Sequence, residues 1–189
     1  SSAVTLTLSA IDLGSGLYQM HFSNDNLSWS DWEAYGTSKT WTLTAGDGSK
    51  TVYVQYKDNA GNISTSYSDG ITLDSLAPVS AATSPAVSVR HYFTVSWSGT
   101  DSLSGIVSYD VQYRVGLMGA WTDWLVGTTE TSATFGPNTP VMVTVGQTYY
   151  FRVRAYDLAG NVEEYPEYDT FTAVVEGWQI LIPLVLKTP

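Results

Sequence analysis

Four aspartates stand in turn sequences where carboxylates could bind a cation. Asp12 and Asp58 begin turns in the first half of the chain, and Asp101 and Asp157 do so in the second half. Each pair should lie near one pole of a sheet domain, and hard cations prefer several oxygen ligands at one place. However, two carboxylates are few for a calcium site, and turn aspartates commonly accept hydrogen bonds from nearby backbone N–H groups. We therefore expect turn-forming aspartates, no bound metal and no cofactor.

Two tryptophan pairs share one spacing, Trp29 with Trp32 and Trp121 with Trp124. Residues three apart on a strand face opposite sides, so one tryptophan of each pair should face the core and the other should be more exposed. An exposed tryptophan could stack on a sugar or anchor a protein partner. The alternative is that it covers the sheet and packs on Arg or Lys stems. Trp32 and Trp124 are our candidate ligand-binding tryptophans.

A row of arginines is predicted on the outward side of neighbouring strands. Arg114, Arg152 and Arg154 form the row, with Tyr150 and Tyr156 beside them. Such a row could bind an anionic glycan. The alternative is pairing with Glu and Asp across the strands and stacking on tyrosines. Arg152 and Arg154 are our candidate ligand-binding arginines.

Motifs for catalysis are absent from the sequence. The chain has no cysteine, no Gly-x-Ser-x-Gly, no His-Glu-x-x-His and no phosphate-binding loop. Its two histidines, His21 and His91, lie in different halves. Counting carboxylates does not rule out a pair for glycoside hydrolysis, but small tandem domains without long loops offer no obvious cleft. We predict that the protein is not an enzyme.

The charge balance argues against nucleic acid as a partner. The 189 residues carry 8 basic and 18 acidic side chains, a net charge of −10, whereas a phosphate backbone requires clustered Lys and Arg. Thr, Ser, Gly, Tyr and Val dominate, which is typical of an all-β extracellular module. The opening Ser1-Ser2 has no signal peptide, and we interpret the chain as a mature form or an excised piece.

The element that positions these residues occurs twice. Residues 50–62 and 148–161 each contain an alternating strand that runs into an Asp-x-Ala-Gly-Asn turn. Such alternation indicates a strand with one buried face. The side chains expected to point inward are Val52, Val54 and Tyr56 in the first copy and Tyr149, Phe151, Val153 and Ala155 in the second.

The whole chain is predicted to form two tandem antiparallel β-sandwiches. Each half contains about seven short segments with strand character, including one at residues 29–35, and turns recur every 8–12 residues. We place the domains at residues 1–78 and 79–176. The linker is expected from Ser75 to about Pro85.

Residues 86–175 resemble a fibronectin type III domain. The motifs that carry the resemblance are Val95-x-Trp97, Tyr109-x-Val111-x-Tyr113 and Tyr149-x-Phe151-Arg152-Val153-Arg154-Ala155. The resemblance implies that Tyr149 forms a corner by bonding to backbone upstream. Residues 1–78 resemble the related bacterial Ig-like modules, with Lys50 at the place of the corner tyrosine.

Residues 177–189 form an apolar tail that is too short for a membrane span and contains Pro183. We expect it to pack along its own sandwich, into the interdomain groove, or onto a second chain by strand addition. It also resembles Leu-Pro-Leu-Val endings of secreted proteins from some filamentous bacteria, which implies a sorting or attachment signal.

The sequence favours a non-catalytic module that spaces, docks or anchors a larger secreted or cell-surface bacterial protein. Its expected partners are the other domains of that protein, and a glycan or cell-surface protein, with no nucleic acid and no membrane span. The alternatives are a carbohydrate- or protein-binding adhesin module and an accessory domain of an upstream secreted hydrolase.

Overall fold

A computed structural model of the chain describes residues 2–136, 139 and 141–177. The chain divides into two compact units, Ser1–Leu76 and Ala77–Pro189. The apolar tail from Trp178 onward lies outside the described residues, and with it the predictions about its packing and role. No helix in the part of the chain that the structure describes has the length and hydropathy to cross a membrane.

The first unit consists of two antiparallel sheets. Its six strands in the described residues are β1 (Ala3–Thr7), β2 (Leu17–Ser23), β3 (Glu33–Ala34), β4 (Ser38–Thr42), β5 (Gly48–Asp58) and β6 (Tyr67–Leu73). One sheet pairs β1 with β4, and the other has the order β3-β2-β5-β6.

The second unit has the same arrangement with two additional strands. Its strands are β7 (Val79–Thr83), β8 (Val87–Ser88), β9 (Phe93–Thr100), β10 (Ile106–Val115), β11 (Thr122–Thr128), β12 (Ser132–Phe135), β13 (Thr148–Asp157) and β14 (Thr170–Val174). The sheets have the orders β12-β9-β7 and β11-β10-β13-β14-β8, and only the short β14–β8 pair among these described strands is parallel. The predicted all-β fold of two sandwiches is confirmed.

The long strands β5 and β13 bury the side chains that their alternation predicts. On β13, Phe151, Val153 and Ala155 are each 0% exposed, because they pack with residues such as Val95 of the opposite sheet. On β5, the inward residues Val52, Val54 and Tyr56 belong to a separate, smaller core. Each unit therefore has its own hydrophobic core.

The structure corrects two predicted segments. Strand β7 lies within the expected linker of residues 75–85 and pairs with β9. Its residues are small and are flanked by Pro78 and Pro85, so the sequence shows no alternation of apolar and polar side chains there. The expected strand at residues 29–35 is reduced to β3. There the hydroxyl of Ser30, instead of its carbonyl, accepts the Phe22 N–H bond, so the regular ladder is interrupted.

The tyrosine corner expected at Tyr149 is present. Its buried hydroxyl accepts the Thr144 N–H bond at 2.9 Å and donates to the Met142 carbonyl at 3.3 Å. At the corresponding place in the first unit, the Lys50 ammonium donates to the Ala45 carbonyl at 3.2 Å. Both side chains thus fasten the preceding turn to the start of the long strand.

We predict that Tyr149→Phe destabilises the protein by about 0.5–1.5 kcal/mol, since the Thr144 N–H and the Met142 carbonyl lose their bonds to the Tyr149 hydroxyl. Urea unfolding should show this as a lower midpoint with an unchanged slope. Tyr168→Phe, at a residue 39% exposed, is the matched control and should unfold like the parent. Equal midpoints for all three proteins would contradict the role assigned to the corner.

Candidate functional site

The arginine row lies on the outward face of β10 and β13. The two strands run antiparallel, and their register places Asp110 opposite Arg154, Gln112 opposite Arg152, and Arg114 opposite Tyr150. Because side chains alternate along a strand, these polar residues share one face while the residues between them enter the core.

Aromatic rings are interleaved with the arginines along this face. The Trp121 ring centroid lies 4.6 Å from the guanidinium carbon of Arg114 and 4.2 Å from that of Arg152. The Tyr165 ring lies 4.4 Å from Arg152 and 4.6 Å from Arg154. These distances are typical of cation–π contacts. We call Trp121, Arg114, Arg152, Tyr165 and Arg154 the arginine stack.

Arg152, at the centre of the stack, is also held by hydrogen bonds. Its Nε donates to Gln112 Oε1 at 2.8 Å, and its Nη1 donates to the Pro166 carbonyl at 3.3 Å. Burial lowers the pKa of Arg152 below its ordinary value, but an arginine remains charged at neutral pH. Burial raises the pKa of the adjacent Tyr165 to about 12, so its ring stays neutral.

Asp110 supplies the negative charge at one end of the stack. Its side chain is buried and accepts bonds from Arg154 Nη2 at 2.8 Å, from the Gly127 N–H at 2.8 Å, and from the Tyr156 hydroxyl. Burial alone would raise the pKa of Asp110, but the bonds from Tyr156, Gly127 and Arg154 together hold it below its ordinary value. The carboxylate is therefore ionised and fully engaged within the sheet.

The first unit has a stack of different chemistry on the corresponding face. The His21 ring is 3.7 Å from the Trp32 ring and 4.4 Å from the Trp29 ring, nearly parallel to both. His21 Nε2 hydrogen-bonds to Gln55 Oε1 at 3.0 Å, and the Lys57 ammonium lies 4.5 Å from the Trp32 centroid. We call His21, Trp29 and Trp32 the histidine stack.

The tryptophan pairs follow the strand rule in only one unit. Trp124 packs against the core, 5.1 Å from Phe135 between ring centroids, while Trp121 lies in the arginine stack. The expectation that one of Trp29 and Trp32 faces the core is wrong, because both contact His21. Residues 29–32 form no strand, so the alternation of strand side chains does not apply to them.

The structure brings Arg152 and Arg154 together and places Trp32 and Trp124 in separate units. Sequence reasoning missed Tyr165, a member of the arginine stack, and Asp110, which binds Arg154 at one end of it. Tyr165 lies between β13 and β14, outside any strand pattern. Asp110 could have been found, since it is the one charged residue within the otherwise apolar or neutral run Ile106–Tyr113.

The four turn aspartates bond their own turns. In each case the carboxylate accepts the N–H of the residue four positions later, at 2.6–2.8 Å; the pairs are Asp12–Gly16, Asp58–Asn62, Asp101–Gly105 and Asp157–Asn161. The Asn62 side-chain bond lowers the pKa of Asp58, and the Gly105 N–H lowers that of Asp101. The turn-forming role is thus observed; the absence of a bound metal stays a prediction.

Comparisons with known proteins give structural neighbours but no sequence relative. No protein-family model and no curated protein matches the chain. The fibronectin(III)-like modules of Clostridium thermocellum CbhA are 12% identical and align over 93% of this chain and 86% of theirs, with a TM-score of 0.46. A two-domain fibronectin type III segment of chicken tenascin is 13% identical over 87% of this chain and 89% of that segment, with a TM-score of 0.36. The FN1–FN3 domains of chicken CNTN1 are 14% identical over 91% of this chain and 62% of that chain, with a TM-score of 0.42.

We predict that Trp124→Ala destabilises the protein by about 3–5 kcal/mol, as large-to-small changes in a core do. Trp121→Ala removes a ring from the outward face and should cost about 1–2 kcal/mol, mainly lost cation–π contacts. Chemical unfolding of both variants measures the difference. If Trp121→Ala were the more damaging change, the assignment of Trp124 to the core would be contradicted.

Asp110 should make the free energy of unfolding depend on pH in the acidic range. Its pKa is lowered in the folded state from an ordinary value of 3.8, so its contribution is complete above that value and disappears as the pH falls through the lowered pKa. We expect the parent to be more stable than Asp110→Asn at pH 7, with the gap narrowing below about pH 4. Unfolding free energies of both proteins across this range provide the measurement, and a gap independent of pH would refute the ion pair's contribution.

Proposed function

We propose that the chain is a non-catalytic module that spaces and docks parts of a larger protein outside the cell or at the cell surface. The observation that carries the proposal is the internal pairing of the arginine stack. Arg152 contacts two aromatic rings and donates two hydrogen bonds within its own unit. Side chains that already have such internal partners stabilise the sheet. A ligand would have to displace these contacts in order to bind to them.

The environment of several aspartates supports a non-catalytic role, and Asp169, whose pKa burial raises, is held within the sheet by the Val153 N–H bond to its carboxylate at 2.8 Å. A general acid needs a carboxyl group that holds its proton near neutral pH, whereas the pKa of Asp110 is held below its ordinary value. Asp58 and Asp101 have lowered pKa values as well and bond their own turns. These carboxylates are suited to holding the backbone in place.

Composition supports the proposed location, because Thr, Ser, Gly, Tyr and Val dominate the chain, as is typical of all-β extracellular modules. Tandem sandwiches of this kind present ends that neighbouring domains can extend, which suits a spacer.

One observation favours the second candidate, a carbohydrate-binding module. Tyr150 contacts Tyr168 and Phe171 with centroid distances of 5.2 and 5.6 Å, and Tyr168 and Phe171 are 39% and 42% exposed. Clustered aromatic rings on an open sheet face can stack on sugars. We call these three residues the aromatic cluster.

A binding assay and an unfolding assay together separate the two candidates. The purified chain is tested on insoluble polysaccharides and a glycan array beside Phe171→Ala, Tyr168→Ala and Trp32→Ala. The spacer proposal predicts no saturable binding, and a loss of about 1–3 kcal/mol of stability in Arg152→Ala. Saturable binding that Phe171→Ala abolishes, in a variant that remains folded, would replace the spacer by the recognition module.

A further inference from the structure

The two units differ in how one sheet edge is covered. In the second unit, β9 pairs with β12 on one side and with β7 on the other. In the first unit, the corresponding strand β1 pairs with β4, and no other strand of the described residues pairs with it. Exposed edges of this kind accept additional strands.

Matching hydrogen bonds align the two edges residue by residue. The Leu8 N–H donates to the Thr37 carbonyl at 2.9 Å, as the Trp97 N–H donates to the Thr131 carbonyl at 2.8 Å. Leu8 therefore corresponds to Trp97. Residues 7–11 then correspond to residues 96–100, which pair with β7.

The same alignment shows which amides face the open edge. The N–H groups of Leu8 and Ala10 point toward the β4 side, where they bond Thr37 and the Tyr35 hydroxyl. Because N–H groups of successive strand residues point to opposite sides, those of Thr7 and Ser9 face the open edge.

A groove runs beside this edge. It has a volume of about 500 Å³, with β1 and β6 as its walls and Val52, Val54 and Tyr56 of β5 as its floor. A second cavity of about 490 Å³ shares Ser9, Tyr56 and Tyr67 with it. Together the two cavities follow the edge from Val4 to Asp12.

In the second unit an extended segment fills the corresponding space. Ala82 and Ser80 of β7 are 4% and 8% exposed, and Ser84 accepts a bond from the Thr172 hydroxyl at 2.9 Å. Thr172 is 0% exposed beneath this segment, whereas its counterpart Ile71, on the wall of the first unit's groove, is 46% exposed.

We propose that the groove of the first unit binds an extended polypeptide segment from outside the 189-residue chain, added antiparallel to the β1 edge as β7 is added to β9. This inference rests on the proposed docking role and specifies its contact surface. The apolar floor, and the partly buried inward side chains of Val4, Leu6 and Leu8, favour an occupant with an apolar residue at every second position.

Packing and charge narrow the occupant further. A Cβ added at Gly99 would lie 3.0 Å from the Ser80 Cβ, so β7 approaches its partner strand closely. The first unit has Ala10 at this place, so the residue opposite it must be small. The charged residues that line the two cavities in the described structure are Asp12, Asp58 and Asp69, all acidic. A segment with Lys or Arg and without Asp or Glu is therefore favoured.

Hydrogen exchange on the full chain tests the inference. The probe is a synthetic peptide with the sequence of residues 77–88, and a second peptide carries Ala82→Leu to fill the wider groove together with Ala77→Lys to match its acidic lining. At about 1 mM peptide we expect exchange of the Thr7 and Ser9 amides to slow by about tenfold or more, with the Ala82→Leu peptide acting at lower concentration. A peptide with Ala81→Pro, which removes an N–H that faces the partner strand, should give no protection.

A chain variant provides the matched control. Thr7→Pro removes the N–H that faces the groove and leaves the β1–β4 bonds of Leu6 and Leu8 in place, a position where an edge strand tolerates proline. It should unfold like the parent and lose protection of Ser9 by the peptide. Leu27→Asp, at a loop residue 84% exposed and outside the groove, should unfold like the parent and keep the protection of Ser9 by the peptide.

Two results would overturn the inference. The first is unchanged Thr7 and Ser9 exchange with both peptides at the highest soluble concentration. The second is a dimer in light scattering that becomes a monomer when residues 178–189 are removed, and in which the Thr7 and Ser9 amides are already protected from exchange without peptide. In that case the groove would be occupied by a second copy of the chain. Neither result contradicts the proposed spacer role. Glycan binding that depends on Phe171 would contradict the spacer role, but it would say nothing about peptide binding in the groove.

Discussion

The strict alternation of side chains along β13 is the constraint on which the second unit depends. Phe151 and Val153 enter the core, so Arg152 and Arg154 must lie on the other face, two residues apart. That spacing is roughly 7 Å along a strand, which lets the Tyr165 ring contact both guanidinium groups, at 4.4 and 4.6 Å. The geometry of the outward stack is thus a consequence of the burial of the inward side chains.

Placing three arginines on one face creates a repulsion that the surrounding groups must offset. Aromatic rings present negative potential to each guanidinium, and Asp110 adds a full negative charge bound to Arg154. The first unit avoids the repulsion, because Gln55 stands opposite His21 where Arg154 stands opposite Asp110. The arginine stack and the histidine stack cover the same part of the sheet in their respective units. This indicates that the fold requires side chains to cover this face, whereas the chemistry of those side chains can differ.

Regular features of the structure could be predicted from the sequence, and irregular ones could not. The buried residues of β5 and β13, the turn aspartates and the corner at Tyr149 follow from period-two alternation, short-range turn chemistry and a recognisable motif. The orientation of Trp29 does not follow from these rules. Ser30 interrupts the hydrogen-bond ladder, so the side chains around it no longer alternate between the two faces of the sheet. Tyr165 was missed for a related reason: a loop residue carries no periodic signal, so the sequence does not show that its ring lies against Arg152 and Arg154 of the preceding strand.

Strand β7 shows why a sandwich edge is harder to predict from sequence than its core. A core strand needs large apolar residues, which are visible in the sequence, whereas an edge segment that lies close to Gly99 must be small and therefore resembles a linker. Its contribution is to cover neighbours: Thr172 is fully buried in the second unit, whereas Ile71 stays 46% exposed in the first. Because the long strands of both units bury the same inward positions, the completeness of each sandwich is decided by a short segment of small residues at its edge.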